Sequence, residues 1–503
     1  MKKKDEPSAV RKFFLTKSER PVLAGLSTGL YPILFYFTTN FTLVNSWEHL
    51  GYFVLVFLLT PMILFKLCQL LTRKNIFGTY GNYLFPFLSI FIFLFFIGIC
   101  HYGEINKKAS LFMFFGSLAL AYFLVKHLDK IIMIQLLLAL IGLPSFIFAV
   151  ANQTSYSKDW HLQPDDIEEV VFKTKPNVYL IQPDGYVNFA ELKKGYYNVG
   201  NSLFENFLAD FDFKNYPYFR SNYPSTLASN TSMLMMKHHY YNKAMHPSDG
   251  LDSREVIVTK NVVLDVFKNN GYKTHLVMEA PYLLLNRPKM GFDRSNFTSS
   301  EVPFIGKGFK NKKNVITSLK EYIEEDKAVP KFFFVEFFNP GHIANGKSET
   351  TGFENEKRKW LKSLDVANKM LTEMITMIYE LDPEGLIIIL SDHGGYVGLD
   401  YAMEMYSPMH ERDKIYSIFG SNLSIKWPNN MAPDFDKQLK TTVNVFRILF
   451  SYLSEENKYL DSLQANSSYS LILNDAPTGT YESINEAGEI TFIKYNKGSS
   501  ESE

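Results

Sequence analysis

Cysteine is nearly absent. Cys68 and Cys100 are the only two in 503 residues, and both fall in the apolar N-terminal part. The chain beyond residue 151 therefore has no disulfide and no thiolate chemistry. Net charge is missing too. The 52 Lys and Arg balance the 52 Asp and Glu, so the total offers no argument for nucleic acid. A third absence is local: no charged residue lies between Arg20 and Glu48, from His49 to Phe65, from Asn75 to Gly103, from Ala109 to Val125, or from Ile131 to Ser157. Each window holds a core close to the ~20 apolar residues that cross a bilayer, the second and fourth at the short end. A cleaved leader would account only for the first. The pattern predicts five transmembrane helices over residues 21–151.

Charge, where present, orients these spans. Lys2, Lys3, Lys4, Arg11, Lys12, Lys17 and Arg20 make residues 1–20 a basic tail. Lys66, Arg73 and Lys74 follow the second span, and Lys126 and Lys130 flank the turn after the fourth. These loops are expected on the cytoplasmic side. Lys107 and Lys108 oppose the trend, but they are fewer and sit near Glu104. An odd number of spans then places the remainder outside the cytoplasm. Residues 152–175 turn abruptly polar and acidic and read as a linker, 176–495 as an extracytoplasmic domain, and 496–503 as a polar, disordered tail.

Within 176–495, short apolar runs alternate with helical patterns. The stretches 177–182, 273–278, 331–337 and "LIIIL" at 386–390 read as strands. The stretches 201–211, 354–381 and 441–453 have helical spacing. Alternation of this kind, with near-continuous apolar strands, predicts an α/β fold with a largely parallel central sheet covered on both faces. Such sheets bind ligands beyond the carboxyl ends of their strands.

Two strands end alike. "NVYLIQPDGY" places Asp184 just past its strand, and "LIIILSDHGG" delivers Asp392 and His393, each followed by glycine. Taken singly, Asp-Gly is a common turn pair. Two carboxylates and an imidazole from two strand ends also form a set suited to one divalent ion, zinc or manganese. "SNYPSTLASNTSML" brings Ser225 and Thr226 to the start of a helix. A hydroxyl there either caps the helix or acts as a nucleophile in the field of the helix end, and the sequence does not choose between the two residues. "FFNPGHIANG" carries His342 in a turn after a strand, where an imidazole can protonate a leaving oxygen or hold a phosphoryl oxygen. His410 and Arg412 form a further polar cluster, and a guanidinium suits a bidentate grip on phosphate. The pair in "KHHYY" continues the helix without ligand spacing.

In that order, these motifs resemble the alkaline phosphatase superfamily in its sulfatase-like branch. Five spans followed by an exported domain resemble lipoteichoic acid synthases and lipid A phosphoethanolamine transferases. The resemblance implies a bacterial inner-membrane, multi-pass enzyme with an extracytoplasmic catalytic domain. It implies Asp184, Thr226, Asp392 and His393 as metal ligands, Thr226 as nucleophile and His342 on the substrate side. The implied reaction moves a phospholipid head group, of phosphoglycerol or phosphoethanolamine type, to an envelope glycan or glycolipid through a phosphothreonine. The alternatives are a membrane-anchored phosphoester or sulfate-ester hydrolase and a degenerate envelope-assembly protein. Those synthases and transferases usually carry Glu at the first metal position, where this chain has Asp184. Arylsulfatase activity is disfavoured, because 152–503 has no cysteine and "YPSTLAS" lacks the arginine of that signature.

Overall fold

The computed structural model describes residues 20–154, 157–200, 202–243 and 252–496. Residues 1–19 of the basic tail and 497–503 of the polar tail lie outside the described residues. The chain divides into two compact units: Met1–Ser155 with Leu285–Arg287 and Pro303–Lys307, and the remainder.

The first unit contains five helices long and apolar enough to cross a membrane: Pro21–Thr39, Trp47–Arg73, Gly78–Tyr102, Lys107–Leu124 and Leu128–Asn152. They overlap the five charge-free windows, and three of them take in flanking charges: Glu48, Lys66 and Arg73 in the second, Lys107 and Lys108 in the fourth, Asp129 and Lys130 in the fifth. Within the second, Lys66 donates to Gln69 Oε1 at 2.9 Å. Inside the bundle, Gln135 accepts from Ser27 Oγ at 2.7 Å and donates to the Ser89 carbonyl at 3.0 Å, so its amide is satisfied without water.

The second unit is built on a seven-stranded sheet. Its strands are β1 (Val178–Pro183), β2 (Lys214–Asn215), β3 (Lys273–Met278), β4 (Arg294–Ser295), β5 (Lys331–Phe337), β6 (Leu386–Leu390) and β7 (Leu423–Lys426). They run in the order β2-β7-β6-β1-β5-β3-β4. β1 is parallel to β5 and β6, and β3 is parallel to β5 and β4. β7 and β2 close one edge antiparallel. Side chains alternate between two cores. Val178, Leu180, Phe332 and Phe334 pack with Met233, Val263 and Phe446 of helices Thr226–Met235, Val262–Asn269 and Val445–Ser454. Tyr179, Ile181, Phe333 and Val335 pack with Leu319, Leu364 and Leu371 of helices Val315–Glu324 and Phe353–Leu381. Covering on both faces is why "LIIIL" needs no polar alternation.

The helix expected over 441–453 begins at Val445, after a tight turn over Thr442–Asn444. The sequence reading did not anticipate the second sheet, an antiparallel meander of β8 (Ser468–Ile472), β9 (Gly479–Ile484) and β10 (Ile490–Lys494). What positions the site is the central trio β6-β1-β5. Three neighbouring parallel strands end at one edge of the sheet, and each is followed by a turn carrying chemistry.

Candidate active site

The turn after β1 is pinned from both sides. The Asp184 amide donates to Phe337 O at 2.9 Å, and the Gly341 amide donates to Asp184 O at 2.7 Å. Gly185 has φ +64°, and a Cβ there would lie 2.2 Å from Gly341 O, so this position admits only glycine. The turn after β6 is locked to it. Asp392 Oδ1 accepts from the Gly185 amide at 3.2 Å and from the His393 amide at 3.0 Å.

The two glycines of "SDHGG" are there for space. A Cβ at Gly394 would stand 2.2 Å from Ser417 O, and one at Gly395 would stand 2.1 Å from the indole nitrogen of Trp360. That indole is committed, donating to Gly341 O at 2.8 Å. We expect Gly395→Ala to lower unfolding stability by about 1–3 kcal/mol, the usual cost of overpacking. Chemical denaturation checks this, and a midpoint unchanged from wild type would contradict the packing described.

Four electron-rich atoms converge at this edge. His393 Nε2 lies 3.4 Å from Asp184 Oδ1 and 3.3 Å from Asp392 Oδ2. Thr226 Oγ1 lies 3.4 Å from both Asp184 Oδ1 and His393 Nε2. Asp184, Asp392 and His393 can each offer a ligand atom within 4.8 Å of the others. His393 Nδ1 contacts the Gly394 carbonyl at 2.8 Å. A carbonyl only accepts, so Nδ1 carries the proton and Nε2 turns its lone pair to the carboxylates. Asp392 Oδ2 is buried without a hydrogen-bond partner among the described residues. Such a cluster requires a positive charge among its members: a divalent ion, or a proton in its place. Two carboxylates, an imidazole and a hydroxyl fit a zinc- or manganese-type ion.

Thr226 is the first residue of the ten-residue helix Thr226–Met235, so its hydroxyl stands at the positive end of the helix dipole. Ser225 precedes the helix with extended backbone, and its side chain makes no cap hydrogen bond. The geometry thus separates two hydroxyls that the sequence left equivalent.

Solved structures similar to this chain include a putative sulfatase from Bacteroides fragilis and phosphoethanolamine transferases. The integral membrane lipooligosaccharide phosphoethanolamine transferase A (EptA) from Neisseria meningitidis is 12% identical, with 86% of this chain and 95% of that chain covered and a TM-score of 0.36. The C-terminal periplasmic domain of EptC from Escherichia coli, in complex with zinc, is 13% identical over 56% of this chain and 83% of that chain, with a TM-score of 0.38. The phosphoethanolamine transferase EptC domain from Campylobacter jejuni is 14% identical over 56% of this chain and 90% of that chain, with a TM-score of 0.35. No family model and no curated protein matches the chain.

His342 follows β5 and faces the same cluster, its ring centroid 6.0 Å from that of His393. Its Nδ1 contacts the Ile343 carbonyl at 2.7 Å, so Nδ1 again holds the proton. Burial, helped by the neighbouring His393, pushes His342 down to about 4. At neutral pH the ring is therefore uncharged, and its Nε2 carries a lone pair rather than a proton.

Arg412 is engaged elsewhere. Its guanidinium pairs with Glu191 and Asp413 and lies 4.0 Å from the Tyr416 ring centroid. His410 packs edge-on against Phe492 of β10 at 5.3 Å. Among the described residues, neither is hydrogen-bonded or ion-paired to Asp184, Thr226, Asp392 or His393.

Other residues around the cluster escaped the sequence reading. Gln182 and Glu336 are register partners at the ends of β1 and β5, both fully buried, and their side-chain atoms have no hydrogen-bond partner among the described residues. Burial, then the charges of Asp392 and Asp184, holds Glu336 well above the usual carboxylate range. Each is the lone polar residue near the end of an apolar strand, a signal that was visible in "VYLIQP" and "KFFFVEF". Tyr396 is the other.

Burial and the Asp392 charge also raise Asp184 above the usual carboxylate range. In the metal-free protein, the stability contributed by this group is present at low pH and lost as pH rises through its folded value. A bound ion needs the carboxylate, so binding releases the proton. We expect zinc affinity to fall about tenfold per pH unit below that value, as one proton competes. Titration calorimetry across buffers of different ionisation enthalpy reads both the affinity and the proton count. An affinity flat with pH would contradict the shared site.

Proposed function

We propose that the protein transfers a phospholipid-derived head group to a hydroxyl acceptor of the cell envelope, through a phosphothreonine on Thr226. The observation that carries this reading is the Thr226 hydroxyl, 3.4 Å from both Asp184 Oδ1 and His393 Nε2 at the start of a helix. A hydroxyl there is poised as a nucleophile. Asp184, Asp392, His393 and Thr226 would hold the ion. When bound, it lowers the pKa of a coordinated hydroxyl and neutralises phosphoryl charge.

Thr226 Oγ1 attacks the phosphorus of the lipid phosphodiester. The bond from phosphorus to the diacylglycerol oxygen breaks, and that oxygen takes up the proton that Thr226 gives up. The helix Thr226–Met235 begins at the nucleophile, and the N–H groups of a first turn favour negative charge beside them. In the second half, an acceptor hydroxyl attacks the same phosphorus, the bond to Thr226 Oγ1 breaks, and the acceptor's proton passes to Thr226 Oγ1, relayed by His342. The apolar helices support a lipid donor: a site tethered to a bilayer works at a high effective concentration of membrane substrates.

The test is intact-protein mass measurement after incubation with phospholipid and zinc. The reading expects an added mass equal to head group plus phosphoryl, mapped to Thr226, and its chase onto an added acceptor. Prompt release of free head-group phosphate without acceptor makes the protein a hydrolase. No adduct and no product would leave the assembly role.

A further inference from the structure

A large aromatic side chain occupies a backbone conformation that suits glycine. Tyr396, three residues past His393, has φ +60° and is 2% exposed. A bulky residue in the left-handed region is strained, and it persists only where its surroundings over-determine it. The preceding positions are already glycine, so a third would have been the cheaper solution. The ring itself must be what the position requires.

Its contacts say where the ring acts. It stacks on His393 at 5.0 Å and 25°, and on His342 at 5.1 Å and 17°. Its hydroxyl donates to the carbonyl of Pro224, two residues before Thr226. Its backbone amide donates to Ser417 O at 3.2 Å, and its carbonyl accepts from Leu399 at 3.1 Å, which fixes the main chain beneath the ring. One side chain thus touches the metal-ligand imidazole, the proton-accepting imidazole and the segment that carries the nucleophile.

We propose that Tyr396 is a positioning residue with two separable parts. The ring face orients the imidazoles of His393 and His342. The hydroxyl fixes the Pro224–Thr226 segment so that Thr226 Oγ1 meets them. A flat partner against the face of an imidazole limits rotation of the ring about its χ2 beyond what its hydrogen bonds do. A peptide carbonyl held from outside the helix fixes where that helix begins. The inference rests on the transfer reading only in its kinetic arm.

Two variants of the full-length protein separate the parts. Tyr396→Leu keeps apolar bulk and the same backbone burden but loses the flat face. Tyr396→Phe keeps the face and loses the hydroxyl. For Tyr396→Leu we expect zinc affinity to fall at least about tenfold, the usual effect of losing a group that orients a ligand. A zinc Kd equal to wild type overturns the ring's role. For Tyr396→Phe we expect a zinc Kd raised by less than in Tyr396→Leu, faster amide hydrogen exchange across residues 223–228, and a roughly tenfold lower kcat at unchanged KM. Exchange in that peptide identical to wild type overturns the hydroxyl's role. Should wild type itself form no adduct, the transfer reading fails, while zinc affinity and amide exchange still decide for or against Tyr396.

Discussion

Thr226→Ala is expected to abolish the covalent adduct and to lower turnover by about 10⁴-fold or more, as removal of a nucleophile does. The loss should fall on kcat, because in the proposed reaction the hydroxyl makes a bond rather than holding the donor. The fold should survive: Thr226 opens its helix without making a cap bond, and among the described residues its Oγ1 has only the long 3.4 Å contacts to Asp184 and His393. Alanine keeps the helix start, so melting should shift little. Zinc affinity should drop less than on loss of a charged ligand, since Asp184, Asp392 and His393 remain. Full activity in Thr226→Ala would remove the phosphothreonine from the mechanism and move attention to Ser225 or to water. Ser225→Ala, whose hydroxyl makes no cap bond, serves as the matched control.

Asp392→Asn is expected to weaken zinc binding by about 100-fold or more, beyond what outer partners of a metal site contribute. The substitution is sharper than it looks. Asp392 uses its two oxygens differently: Oδ1 accepts from the amides of Gly185 and His393, while Oδ2 faces His393 Nε2 at 3.3 Å. An amide oxygen can keep both backbone bonds, so the two turns stay joined. Its NH₂ then points at the imidazole lone pair and offers a donor where a ligand is needed. Metal content should fall while the apo-protein keeps its melting temperature or gains slightly, because a buried negative charge beside Asp184 is gone. Wild-type zinc content in Asp392→Asn, read by elemental analysis after dialysis, would place the ion elsewhere.

Long-range order was legible where the sequence had one dominant signal. Charge-free windows marked the five apolar helices, since nothing but a bilayer rewards such runs. "LIIIL" and "KFFFVEF" were readable because a strand buried on both faces admits no alternation. The meander over β8–β10 was not. Its strands are half-polar, with Ser468, Ser470, Thr480 and Ser483 among them, and nothing periodic separates them from loop. The site shows the same division. Asp184, Asp392 and His393 sit on strand ends, where a motif and a sheet rule agree. Arg412 illustrates the opposite case: a charge in a loop has a chemical suitability that sequence exposes and a partner, Glu191, that sequence hides. Tyr396 was invisible for a subtler reason. Its importance lies in a positive φ and in two stacked imidazoles, neither of which composition records.

The turns that meet at the sheet edge come from far apart along the chain. Gly185 and Asp392 are 207 residues apart, and Thr226 and His393 are 167 apart. Closing loops of that length is slow, and little is gained until the intervening strands are paired. Partly folded forms should therefore have little affinity for the ion, which would report completion of the sheet. Zinc added during refolding should stabilise only the last species to form, and a chelator should speed global unfolding without detaching any single element beforehand.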